Sequence, residues 1–151
     1  MNVRPIILNN ANIGYKNFEG RVNPTNKYGE RSFVIFFDDE EAKMMEDQGW
    51  NIKWPKEKLD NPESEKQAFL PVKIRFKTRD GRPTSLKIVK IVGDNHSLLG
   101  EEDVGDLDKV RLLNVDLRIR PFEFEPGRYS AFLDTLYATV EMDPFVEKYG
   151  Y

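Results

Sequence analysis

Residues 72–77 read Val-Lys-Ile-Arg-Phe-Lys. Successive side chains of a strand point to opposite faces, so Val72, Ile74 and Phe76 share one side and Lys73, Arg75 and Lys77 the other. Arg79 and Arg82 follow in a turn, Lys87 and Lys90 in the next run, and Asp80 is the only acid between Glu65 and Asp94. A chain of net charge −3 that concentrates cations in this way is expected to hold an anion there. Nucleic acid fits, since it needs cations to track phosphates and aromatic faces on which unpaired bases stack, at about 1–3 kcal/mol per base. Tyr15, Lys16, Phe18 and Arg21 offer both residue types, as do Trp50, Lys53 and Trp54. Each of these aromatics could equally serve a core, and a one-residue slip in register decides whether Tyr15 or Phe18 faces outward. Arg118 and Arg120 share a strand face with Asp116, where cross-strand ion pairing competes with phosphate contact.

Catalytic readings fail on what the sequence lacks. His96 is the only histidine, in the turn-like setting Gly93-Asp94-Asn95-His96-Ser97, which reads as a surface loop and excludes any metal site built on several imidazoles. With no cysteine there is no disulfide, thiolate ligand or thiol nucleophile. Neither a GxxxxGK[ST] phosphate loop nor a GxGxxG dinucleotide fingerprint is present. Glu41-Ala42-Lys43 is an E-x-K triplet, but it falls in a predicted helix. The chain is therefore expected to be no enzyme and to take no cofactor or metal.

The elements that would position the basic strand are mostly strands themselves. Residues 3–8 and 13–21 are β-prone around Asn9-Asn10-Ala11-Asn12, and 31–37 is apolar on both sides, as a core strand requires. The turn residues of 23–29 allow the flanking arms to pair as a hairpin. Trp50-Asn51-Ile52-Lys53-Trp54 alternates with both tryptophans on one side, and Pro55 to Gln67 reads as a polar, flexible connection. Two further strands, 111–120 and 130–142, flank a Pro126-Gly127 turn, and strict alternation in the second puts Phe132 on the face of Leu136, Ala138 and Val140. Acidic blocks at 38–47 and 101–108 read as short helices, the first capped by Asp38 or Asp39, with Ala42, Met45 and Met44 apolar and Gly49 at its end. Six or seven strands, two short helices and no βαβ rhythm predict one all-β domain over 1–151, a small antiparallel barrel or sandwich. No apolar run approaches the ~20 residues of a membrane-spanning helix, and the N-terminus lacks a signal-peptide pattern, so the host cytoplasm is the expected location.

The order of motifs carries a resemblance. Asn12-Ile13-x-Tyr15-Lys16-Asn17-Phe18-Glu19-Gly20 is followed by Asn26-x-x-Gly29-x-Arg31-x-Phe33 and Gly49-Trp50-Asn51-Ile52-Lys53-Trp54. Asn114-Val115-Asp116-Leu117-x-Ile119-Arg120-Pro121 and Tyr137-x-Thr139-Val140-Glu141 complete the series. This pattern resembles a family of small tailed-phage single-stranded DNA-binding proteins over nearly the whole chain. The resemblance implies an OB-fold, a five-stranded Greek-key barrel, with Tyr15 where the family pattern has an aromatic. Replication-type binders often end in an acidic tail, whereas Asp143 and Glu147 make a weak acidic ending before Tyr151, which implies a cut tail or another route of partner recruitment.

The expected function is to coat single-stranded DNA during phage replication or recombination, largely independent of sequence and without catalysis. Single-stranded DNA is the partner, with replication or recombination proteins beside it, no membrane, and a monomer or dimer. The nucleic-acid-binding candidates are Tyr15, Lys16, Phe18, Arg21, Trp50, Lys53, Trp54, Lys73, Arg75, Lys77, Arg79 and Arg82. An RNA-binding OB module shares these features. The alternative is a phage interaction protein, a host-factor inhibitor or adaptor whose acidic helices mimic DNA.

Overall fold

The structure is a computed structural model that describes residues 3–149, the Glu147 side chain excepted. The closing Gly150-Tyr151 of the weak acidic ending lies outside the described residues. Eight strands follow the chain as β1 (Ile6–Leu8), β2 (Ile13–Asn17), β3 (Arg31–Phe37), β4 (Ala68–Ile74), β5 (Lys87–Val92), β6 (Asn95–Leu99), β7 (Leu112–Glu125) and β8 (Arg128–Val140). Helices α1 (Asp39–Asp47) and α2 (Lys56–Asp60) lie between β3 and β4, a 3-10 turn (Val104–Asp108) precedes β7, and α3 (Pro144–Tyr149) follows β8.

Period-two patterning builds the centre of the sheet. In β4, Ala68, Leu70, Val72 and Ile74 are buried and Phe69, Pro71 and Lys73 face outward, as the alternation of 72–77 implies, although the strand begins earlier and stops at Ile74. β3 pairs with β4 over seven residues, from Arg31 opposite Ile74 to Phe37 opposite Ala68, and buries Phe33, Ile35 and Phe37. The β2–β3 hairpin forms as expected, but β2 ends at Asn17 rather than 21. The carboxylate of Asp108 accepts the Phe18 and Glu19 N–H groups at 2.9 and 3.0 Å, so the chain turns away from the ladder there.

The sheet path runs β1-β7-β8-β4-β3-β2, and its two end strands are joined by residues 9–12 alone. Within that link Ala11 N–H donates to the Val115 carbonyl and Phe36 N–H to the Asn12 carbonyl, both at 2.8 Å. The stretch 6–17 therefore lies against β7 at one end and β3 at the other, and it closes β7, β8, β4 and β3 into a five-membered ring around one apolar core. This is the all-β, OB-like architecture expected, but the sheet is mixed rather than wholly antiparallel: β8 runs parallel to β4 in its first half and to β5 in its second.

One irregularity in β8 redirects its side chains. Arg118 pairs with Thr135 and Ile119 with Leu133, leaving Asp134 as an extra residue. Tyr129, Ala131 and Leu133 point inward before this bulge, and Leu136, Ala138 and Val140 after it. Strict alternation had placed Phe132 with Leu136; the bulge puts it on the opposite face.

Other expectations change for equally local reasons. The first acidic block is α1, where the Asp38 carboxylate caps the Glu41 N–H at 2.8 Å and Ala42 and Met45 are buried, while Met44 is exposed. Gly49 ends it at φ +106°, where a Cβ would lie 2.4 Å from the Gly127 carbonyl oxygen. The second block yields only the 3-10 turn, anchored by Val104 and Leu107. Residues 50–54 make isolated bridges to Tyr129 and Phe69 rather than a strand. Part of 55–67 is helical, and Lys58 there pairs with Asp39 at 3.1 Å and donates to the Ser64 carbonyl. His96 stands exposed on β6, in a hairpin with β5, rather than in a loop.

Candidate nucleic-acid interface

Cross-strand register sets a row of residues across the outer face of five strands. Asn17 pairs with Ser32, Ser32 with Lys73, Lys73 with Phe132 and Phe132 with Arg120. Four spacings of ~4.8 Å make this row roughly 19 Å wide. At its centre is Phe132, half-buried, with Lys73 Nζ 6.0 Å, Arg75 Cζ 5.8 Å and Arg120 Cζ 5.4 Å from the ring centroid. Phe122 meets the same ring edge-on at 5.4 Å and is itself exposed, as is Phe124, over which Arg128 lies at 5.2 Å. The three phenylalanines with Lys73, Arg75, Arg120, Lys77, Thr78, Arg79 and Thr84 line a groove of about 430 Å³.

A second groove of about 640 Å³ opens at the other end of the row, beneath the β2–β3 loop, and Ser32 is shared between that groove and the row. Tyr15, Lys16 and Arg21 line it. Tyr15 adopts φ +47° at the β2 irregularity and remains 71 % exposed, its ring edge-on to Phe36 at 5.8 Å and Phe69 at 6.2 Å. Gly14 permits this, since a Cβ there would sit 2.5 Å from Phe36 Cε2. A non-glycine residue held at positive φ costs of order 1–3 kcal/mol, and such strain concentrates at binding and catalytic sites. The arrangement can stack planar rings at both ends and receive anions between them.

Electrostatics separate the cations into two classes. Arg75 pairs with Glu30 at 3.0 Å, Lys77 with Glu101 at 3.8 Å and Arg82 with Asp80 at 2.8 Å. Asp80 also accepts from the Thr78 hydroxyl, and that bond, ahead of the one from Arg82, holds its carboxyl below the ordinary value. Lys73, Arg79 and Arg120 have no acidic partner among the described residues.

A family model described as "Putative phage ssDNA-binding domain" matches residues 1–151. The chain belongs to this phage single-stranded DNA-binding family. Solved structures of the same kind share its fold. The single-stranded DNA-binding protein from bacteriophage Enc34 superposes with a TM-score of 0.53 at 15 % identity, covering 93 % of this chain and 83 % of that one. The same Enc34 protein in complex with ssDNA gives 0.53 at 14 % identity, covering 93 % and 89 %, and its C-terminal truncation gives 0.51 at 14 %, covering 93 % and 88 %. No protein of curated function matches the sequence.

Against this family frame the sequence-derived candidates divide clearly. Lys73, Arg75, Lys77 and Arg79 line the first groove, with Arg82 in the same loop, and Tyr15, Lys16 and Arg21 line the second. Phe18 is fully buried, stacked on Phe33 at 5.5 Å, and Trp50 is 2 % exposed, so neither ring can receive a base in this conformation. Trp54 is half-buried and donates from Nε1 to Glu46, while Lys53 is exposed but lines neither groove. The sequence reading missed Phe132, Phe122, Phe124, Phe36 and Phe69. Phe122 and Phe124 alternate in phase with Arg118 and Arg120 and were detectable by extending that strand, whereas Phe132 was concealed by the bulge. Three acids of the alternative reading have structural tasks: Asp38 caps α1, Asp108 holds the 18–19 backbone, and Asp39 pairs with Lys58.

Proposed function

We propose that this family member coats single-stranded DNA during phage replication or recombination in the host cytoplasm, largely independent of base sequence and without catalysis, alongside replication or recombination proteins. The row from Asn17 to Arg120, with aromatic rings and cations on one outer face, is the observation that carries the reading. Lys73, Arg79 and Arg120 are assigned to phosphates, joined by Arg75, Lys77 and Arg82 once their carboxylates are displaced. Phe132, Phe122 and Tyr15 are assigned to bases. The face offers cations and rings rather than a dense set of oriented hydrogen-bond donors, which favours backbone tracking and stacking over base readout.

The test is fluorescence anisotropy of a labelled oligothymidine of about 30 nucleotides, a length that exceeds the 4–16 nucleotides one OB-fold covers. Tight binding that duplex DNA fails to compete supports the reading, and binding that RNA competes equally would convert it to a general single-strand binder. The Lys73/Arg75/Lys77→Ala triple variant is expected to stay folded and lose most of its affinity. Affinity should fall with salt at a log–log slope near −0.7 per phosphate contacted. No binding at low salt overturns the assignment.

A further inference from the structure

The three ion pairs around the first groove come from three separate segments. Glu30 ends the β2–β3 loop and Glu101 follows β6, and each reaches a cation just beyond β4, whereas Asp80 and Arg82 pair locally within the β4–β5 connection. The Arg75–Glu30 pair reaches across 45 positions of sequence, so its geometry is a product of the fold and not of local chain proximity. All six side chains remain partly or largely open to solvent, from 38 % for Arg75 to 78 % for Arg82. Exposed pairs of this kind contribute little to stability, about 0–1 kcal/mol each, and they exchange readily for another anion. A carboxylate paired with a guanidinium or ammonium occupies the place and charge that a phosphate oxygen would take.

We propose that Glu30, Glu101 and Asp80 act as built-in phosphate surrogates, so that DNA binding at this groove is an exchange in which the backbone displaces carboxylates from Arg75, Lys77 and Arg82. The inference rests on the single-stranded DNA reading above and concerns the regulation of that site. Lys73, Arg79 and Arg120, which form no ion pair among the described residues, make the first contacts, and the paired cations are recruited as the strand settles. The exchange weakens equilibrium binding but keeps the groove neutral enough to release a strand that must later be replicated or recombined. Glu30 also lines the second groove, so its displacement links the two grooves through one side chain while its backbone stays bonded to the Asn26 amide.

The experiment compares oligothymidine binding across a salt series for wild type, Glu30→Gln, Glu101→Gln and a control, Glu63→Gln. Glu63 is exposed and lines neither groove, so its variant changes net charge equally without freeing a groove cation. Glu30→Gln is expected to bind about two- to fivefold more tightly at low salt, the range a surface ion pair spans. Its log–log salt slope should steepen by up to ~0.7 for the cation released. Glu101→Gln should act in the same direction and less, since its pair is longer. In an Arg75→Ala background the gain from Glu30→Gln should vanish. If Glu63→Gln tightens binding as much as Glu30→Gln, or if Glu30→Gln weakens it, or if the gain survives Arg75→Ala, the exchange is overturned while wild-type binding leaves the underlying reading standing. If no protein in the set binds oligothymidine, the underlying reading falls and the exchange with it.

Discussion

Lys16 on β2 and Lys73 on β4 stand on either side of β3, each beside a phenylalanine two residues or one strand away, and their fates differ. Lys16 Nζ donates to the Leu107 and Val110 carbonyls at 2.8 and 3.0 Å, fastening the 3-10 turn to β2. Burial lowers its pKa, with the Asp108 carboxylate opposing. Its neighbour Phe18 is packed in the core against Phe33. Lys73 forms no ion pair among the described residues, and its cross-strand partner Phe132 is turned outward among three cations. The same residue types therefore hold the barrel together in one place and furnish its outer face in the other. What separates them is what each ammonium meets: the Leu107 and Val110 carbonyls, in and just after the 3-10 turn, for Lys16, and the Phe132 ring for Lys73.

The sharpest way to break this contrast is to truncate the two phenylalanines. Phe18→Ala is expected to cost about 3–5 kcal/mol of stability, the range for a buried phenylalanine, visible as a large fall in the denaturation midpoint. Phe132→Ala, at a half-buried ring, should lower that midpoint much less than Phe18→Ala and weaken oligothymidine binding by about 1–3 kcal/mol. A Phe132→Ala protein that unfolds readily would return this ring to the core and dissolve the distinction. The lysines come next: Lys16→Met should destabilise by about 1–3 kcal/mol through the stranded Leu107 and Val110 carbonyls, while Lys73→Met should change stability little. Removing Lys73 or Arg120 singly should reduce the magnitude of the salt slope by about 0.7 each, whereas equal slopes for Lys16→Met and Lys73→Met would show that both lysines meet phosphates.

The smallest effect is one of pH. Because the folded-state pKa of Lys16 lies below its ordinary 10.5, the unfolded chain binds that proton more tightly in the window just under 10.5. The stability contributed at this position therefore rises with pH across that window. Chemical denaturation of wild type and Lys16→Met at pH 8 and 10 measures it, and a gap that narrows as pH rises would contradict burial as the cause.

Much of this is legible in the sequence. The alternation of 72–77 placed Lys73 outward and Val72 and Ile74 inward, because in a strand face follows parity alone. The apolar run 31–37 became the buried β3, and Asp38 capped α1, since both are decided by nearest neighbours in sequence. The same local logic could not assign Phe18 or Trp50, whose rings are equally suited to a core and to a base, and it misplaced Phe132.

What the sequence determined by itself is the central strands β3 and β4, the basic face of β4 and the β-rich class, all consequences of residue type and spacing. Tertiary structure alone decided the rest. A bulge at Asp134 flipped Phe132 into the row of Lys73 and Arg120, Asp108 ended β2 from ninety residues away, and Glu30 crossed to Arg75. Each of these is a contact between distant segments, whose partners are specified only when the barrel has closed and brought their backbones into register.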